Sequence, residues 1–114
     1  MKTCVRLCLV IYGGDFTVRE KEIEQKLVKA VKAKGGICPK FTSPGFDGMP
    51  DRICLLPNGK FGFVEVKATG EKPRALQLAR HKLIRKLGFQ VFILDSVEQI
   101  GVIIDKIGGI NDGI

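Results

Sequence analysis

Two apolar runs joined by one turn constrain this chain more than any other feature. Asp51-Arg52-Ile53-Cys54-Leu55-Leu56 and Phe61 to Ala68 flank the tetrapeptide Pro57-Asn58-Gly59-Lys60. Short runs rich in apolar and β-branched residues favour strands, and a Pro-Asn-Gly turn sends the second strand back along the first. The spacing predicts an antiparallel hairpin over residues 51–68. Successive side chains of a strand leave opposite faces, so Glu65 and Lys67, two apart, share one face. They interrupt the apolar context of Phe61, Phe63, Val64 and Val66. Taken alone, the two charges read equally as a solvated face or a same-face ion pair.

The remaining punctuation divides the chain into short elements. Val5, Leu7, Leu9 and Ile11 alternate over residues 3–12 and predict a strand closed by Gly13-Gly14. Thr17, with Glu20 three residues later, reads as a capping box for a helix from about Val18 to Lys34. Its apolar stripe is Ile23, Leu27, Ala30 and Val31, with Val28 beside it, and Gly35-Gly36 stops it. Ile37 to Phe41 reads as a short strand, and residues 42–50 as a loop rich in Gly and Pro. Helical spacing returns over Arg74–Leu87 through Leu76, Ala79, Leu83, Ile84 and Leu87. Phe89–Leu94 predicts another strand. A last helix follows, capped by Ser96 with Gln99 and carrying Ile100, Ile103, Ile104 and Ile107. The order predicts one α/β domain with a mixed central sheet flanked by helices.

At 114 residues the chain has room for a single domain with a thin core, which makes association with further copies unsurprising. Residues 1–90 carry 18 basic and 8 acidic side chains, whereas residues 91–114 carry one and four. A positive field over most of the domain suits a polyanionic partner, although it serves solubility equally well. Cys4, Cys8, Cys38 and Cys54 form no Cys-x-x-Cys pair, and His81 is the sole histidine. These spacings argue against a zinc site and for reduced, space-filling thiols. The opening apolar stretch, interrupted by Arg6, has the pattern of neither a secretory signal nor a membrane span. The expectation is a cytoplasmic protein without a membrane partner.

Chemistry concentrates on the hairpin. Asp51 opens one strand and Glu65 lies on the next, so two carboxylates can share a divalent cation such as Mg²⁺ or Mn²⁺. The Val66 carbonyl offers a further oxygen, and Glu24 another if its helix packs beside the sheet. Lys67 can hold an attacking water and offset charge growing on a phosphate. Lys72, Arg74, Arg80, Lys82, Arg85 and Lys86, with Lys40 and Arg52, are candidate phosphate contacts, which position DNA without reading its sequence. Arg52 points away from Asp51 in a regular strand and is equally a structural residue. His81, among basic neighbours, reads as a surface or phosphate-contacting side chain. Gly45 and Gly48 let the 42–50 loop pass close to the site.

The text Ile23-Glu24…Gly35-Gly36, Lys40-Phe41-Thr42-Ser43-Pro44-Gly45, Gly48-Met49-Pro50-Asp51-Arg52 and Phe63-Val64-Glu65-Val66-Lys67-Ala68 resembles the PD-(D/E)XK nuclease superfamily. Gly70-Glu71-Lys72-Pro73-Arg74, Gln77 and Gly88-Phe89-Gln90-Val91 extend the likeness, which is closest to the standalone phage and bacterial form of the VRR-NUC family. The resemblance covers about residues 18–107 and implies a restriction-endonuclease-like core. It implies metal ligation by Asp51 and Glu65, a catalytic Lys67, and a supporting active-site Gln77. The helix-1 acid falls on Glu24, by a spacing similar to archaeal Holliday-junction resolvases, with Glu20 as the competing position. Residues 16–108 then form the nuclease domain, residues 1–15 a strand extension at an oligomer interface, and residues 109–114 a tail. The implied activity is Mg²⁺- or Mn²⁺-dependent endonucleolytic hydrolysis of DNA, leaving 5′-phosphate and 3′-hydroxyl ends. Branched or four-way junction DNA cut by a homodimer is the specific expectation, in a phage-encoded protein acting in the host cytoplasm. Flaps, nicks or plain duplex are the alternative substrates, and a non-catalytic nucleic-acid-binding domain is the alternative from another class.

Overall fold

The computed structural model describes residues 19–109; the strand read over 3–12, the Thr17 cap and the tail beyond 109 lie outside the described residues. Helix α1 (Glu20–Ala33) is followed by β1 (Arg52–Leu56), β2 (Lys60–Val66), α2 (Ala75–Lys86), β3 (Val91–Leu94) and α3 (Gln99–Ile107). The sheet order is β1-β2-β3, with β1 antiparallel and β3 parallel to β2. The mixed sheet flanked by helices is the expected PD-(D/E)XK-like core.

The hairpin forms where the turn sequence requires it. Pro57–Gly59 makes one 3-10 turn, with Asn58 and Gly59 at φ of 68° and 73°, and Leu56 pairs with Lys60. Asn and Gly are the residues that adopt these positive angles at least strain. Residues 37–41 run along the outer edge of β1 but make only isolated bridges, Ile37 to Leu55 and Lys40 to Arg52. Pro39 explains the broken ladder: its carbonyl accepts from the Ile53 N–H at 3.1 Å, but it has no N–H to return.

One face of the sheet carries Cys54, Val64, Val66 and Leu94 under α1 and α3. Ile23, Leu27 and Val31, spaced by four, are fully buried there, each burial contributing about 1.5–3 kcal/mol. Ile100, Ile103, Ile104 and Ile107 do the same for α3. This helix approaches so closely that a Cβ on Gly62 would lie 2.8 Å from Ile107 Cγ1. Cys38 and Cys54 are buried free thiols with sulfurs 3.5 Å apart. Their mutual hydrogen bond lowers the Cys38 pKa and raises that of Cys54.

Three local expectations need correction. Helix α1 begins at Glu20, after an N-cap at Arg19 whose N–H donates to the Glu22 carboxylate at 3.3 Å, rather than at about Val18. Ser96 does not cap α3; the helix begins at Gln99, whose side chain accepts from the Asp95 N–H at 2.9 Å. The third concerns α2. Its buried residues are Gln77, His81 and Ile84, while Leu76, Leu83 and Leu87 are 41%, 41% and 66% exposed. Helical periodicity was present, but the face laid on the sheet is the polar one, because the sheet there presents Glu65.

Candidate active site

Asp51 and Glu65 meet where β1 begins and β2 ends. Asp51 lies just before β1, and its Oδ2 accepts the Val66 N–H at 3.0 Å. This bond satisfies a backbone donor of β2 and fixes the Asp51 carboxylate beside Glu65. Glu65 is fully buried, and both of its oxygens are engaged. Gln77 Nε2 donates to Oε2 at 2.8 Å, Lys67 Nζ lies 3.6 Å from the same oxygen, and His81 Nε2 lies 3.4 Å from Oε1.

Helix α2 supplies this support through its first two turns. The Gln77 Oε1 accepts the Arg74 N–H at 2.8 Å, completing one half of a capping box, while its amide nitrogen reaches Glu65. One side chain thus ends the helix and holds the carboxylate. A Cβ on Gly48 would come within 2.9 Å of Leu76 Cγ and 3.2 Å of the Leu76 carbonyl, at a φ of 91°. Only glycine lets the 42–50 loop lie so closely against α2. Arg80 secures that loop from the helix side, donating to the Asp47 carbonyl at 2.7 Å with its guanidinium 3.9 Å from the Phe46 ring centre.

Charges in this pocket are mutually dependent. Burial, with the Asp51 carboxylate adding to it, pushes the Glu65 pKa up to about 8, against the opposing pull of Lys67. Burial lowers the pKa of His81, reinforced by Arg85, and so keeps the ring neutral. Glu20, on the first turn of α1, is raised by burial and by Asp51, while Lys67 lowers it. Glu24 lies on the other side of the sheet, where Arg52 Nε donates to its Oε2 at 2.8 Å and Arg52 also binds the Cys38 carbonyl.

The structure therefore brings Asp51, Glu65, Lys67, Val66 and Gln77 together, with Glu20 as an electrostatic neighbour, and keeps Glu24 apart with Arg52. Among the candidate phosphate contacts, Lys40, Lys72, Arg74, Lys82 and Lys86 are exposed. Arg80 is bound to the loop, and Arg85 donates to the Val91 carbonyl at 2.8 Å at the start of β3. His81 is completely buried rather than at the surface, because Glu65 needs a polar neighbour inside the domain. The Gln77-x-x-x-His81 spacing places both on one helix face and was the signal available in the sequence.

Among the described residues, no group of three or more His, Cys, Asp and Glu side chains is arranged to hold a metal. The donors present are two adjoining carboxylates whose charges oppose one another. Such a pair fits a hard cation like Mg²⁺, which takes one or two carboxylates and completes its shell with water and phosphate oxygens. A groove of about 910 Å³ runs along α1 past Glu20, Glu24, Lys26, Lys29, Lys40 and Arg52. No described helix is long and apolar enough to cross a membrane.

No protein-family model matches the chain. It is similar to the protein named "Putative nuclease p44" of Acyrthosiphon pisum secondary endosymbiont phage 1. The two are 54% identical over 79 residues, which is 69% of this chain and 85% of the phage protein. Among solved structures it is similar to one described as a VRR_NUC domain. That likeness has a TM-score of 0.72 and 34% identity, and covers 75% of this chain and 94% of the other.

Proposed function

The chain belongs to the VRR-NUC family of nucleases, within the PD-(D/E)XK superfamily, and on that premise we propose that it is a divalent-metal-dependent DNA endonuclease acting on branched DNA. The observation that carries this reading is Glu65: a fully buried carboxylate set against Asp51, with Lys67 Nζ 3.6 Å away. Two unlike-partnered acids beside a lysine are costly to assemble and have a use when a cation joins them.

Asp51 and Glu65 would hold Mg²⁺ or Mn²⁺, with the Val66 carbonyl available as a further oxygen. Such an ion would supply Lewis acidity toward the scissile phosphate and lower the pKa of water at the site. Lys67 orients the attacking water and stabilises charge on the phosphate oxygens. Gln77 holds Glu65 in place through its 2.8 Å hydrogen bond. Of the two acids on α1, Glu20 is favoured as the accessory carboxylate, because Asp51 and Lys67 are its electrostatic neighbours while Glu24 is occupied by Arg52. Exposed Lys72, Arg74, Lys82 and Lys86 border α2 and suit sequence-independent contacts to phosphates.

Two cuts across a junction need two sites, hence a homodimer. Leu76, Leu83 and Leu87 support this, since they recur on one face of α2 and remain open to solvent. Contacts to phosphates carry no sequence information, which favours selection by DNA shape. The decisive assay compares four-way junction, flap, nicked duplex, plain duplex and single-stranded DNA with Mg²⁺, Mn²⁺ or EDTA. Asp51→Asn and Lys67→Ala should each lower cleavage by about 10²-fold or more. Cleavage in EDTA, or variants as active as the parent, would remove the proposed site. Equal cutting of all substrates would leave a nuclease without junction preference.

A further inference from the structure

We propose that His81 is a positioning residue for the reaction: its imidazole, protonated on Nε2, donates to Glu65 Oε1 and, with Gln77 on the other oxygen, holds the buried carboxylate in the orientation that receives the cation. The inference rests on the reading of Glu65 as a metal ligand, but its structural half stands on separate observations.

The first is placement. His81 and Glu65 are both completely buried, and the ring nitrogen lies 3.4 Å from the carboxylate oxygen. Gln77 occupies Oε2 at 2.8 Å from the preceding turn of the same helix. Two donors from one helix thus take one oxygen each. A carboxylate rotates about its last bond unless both oxygens are held, and each rotation would carry its outward lone pairs away from Asp51.

The second is the state of the ring. His81 Nδ1 is a buried atom with no hydrogen-bond partner. Nδ1 lacks a partner in either tautomer, but only the Nε2–H form meets the Glu65 carboxylate oxygen with a proton rather than a second lone pair. The proton therefore belongs on Nε2, where Glu65 accepts it. A neutral Nε2–H donor orients Glu65 and adds no positive charge that would compete with a cation. Groups that orient metal ligands in this way typically alter affinity or activity by about 10–100-fold when removed.

His81 is the only histidine, so selective ¹⁵N-histidine labelling yields one pair of ring resonances. In the unsubstituted protein at about pH 9, above the Glu65 value, those resonances should report a proton on Nε2, and Mg²⁺ should shift them. His81→Leu removes the donor, whereas His81→Gln retains an amide N–H near the position of Nε2. His81→Leu should raise the Mg²⁺ or Mn²⁺ concentration for half-maximal cleavage by about 10–100-fold, and direct Mn²⁺ binding without DNA should weaken in step. His81→Gln should recover most of both losses. A proton on Nδ1, unchanged metal dependence in His81→Leu, or equal losses in the two variants would each overturn the proposal. If neither variant folds, the tautomer in the unsubstituted protein decides. Failure of the parent reading looks different: Glu65→Gln would cleave DNA normally while the Nε2 proton remained where it is described.

Discussion

Replacing Glu65 by glutamine should make the metal-free protein more stable at alkaline pH, even though it removes the carboxylate proposed to hold the cation. Burial and the neighbouring Asp51 raise the Glu65 pKa from an ordinary 4.5 to about 8. A folded-state value above the unfolded one means that the native protein keeps a proton the unfolded chain has already released. Stability is therefore undiminished below about pH 4.5, falls as pH rises toward 8, and carries the whole penalty above that value. The interval from 4.5 to about 8 corresponds to about 5 kcal/mol. The substituted amide recovers this only in part. It brings two N–H donors into a pocket where Gln77 and His81 already donate, at a cost of about 1–3 kcal/mol. A net gain of about 2–4 kcal/mol remains, or about 8–16 °C in Tm for a domain of this size. Thermal unfolding of parent and Glu65→Gln in EDTA, from about pH 5 to about pH 9, reads the effect directly. The variant's advantage should appear only toward the alkaline end. Mg²⁺ at that end should stabilise the parent and leave the variant unmoved, because the cation replaces the missing proton. A parent at least as stable as the variant throughout would refute the claim that Glu65 is held under electrostatic strain.

Gly48→Ala should lower stability by about 1–3 kcal/mol and loosen the 42–50 loop, measured by urea unfolding and amide exchange, because its Cβ would meet Leu76 at 2.9 Å. Glu20→Gln should slow cleavage with little change in Tm. Glu24→Gln should instead destabilise the fold by about 1–3 kcal/mol, since it weakens the 2.8 Å bond that satisfies Arg52; the opposite split would return the accessory role to Glu24. Leu83→Glu with Leu87→Glu should convert a dimer to a monomer in light scattering and abolish paired junction cuts while leaving single-strand nicking, and a dimer that survives would move the interface elsewhere.

Local features that depend on neighbours a few residues away were readable from the chain. The Pro57-Asn58-Gly59 turn imposes the hairpin, the alternation of β2 puts Glu65 and Lys67 on one face, and the spacing of Ile23, Leu27 and Val31 buries one side of α1. The motif text around Asp51, Glu65 and Lys67 carried the family. Packing across the sheet was a different matter, because helical periodicity names a stripe without naming the surface it meets. Leu76, Leu83 and Leu87 make the more apolar stripe of α2, yet the helix turns Gln77, His81 and Ile84 inward. A buried carboxylate demands hydrogen-bond donors more strongly than an exposed leucine demands cover. The same holds for α1: Glu20 and Glu24 are one turn apart and spacing along the chain favoured Glu24, but the docking of the helix leaves Glu20 near Asp51 and Glu24 against Arg52. Sequence order carries the hairpin and its charges; which groups surround them follows from burial, which no distance along the chain encodes.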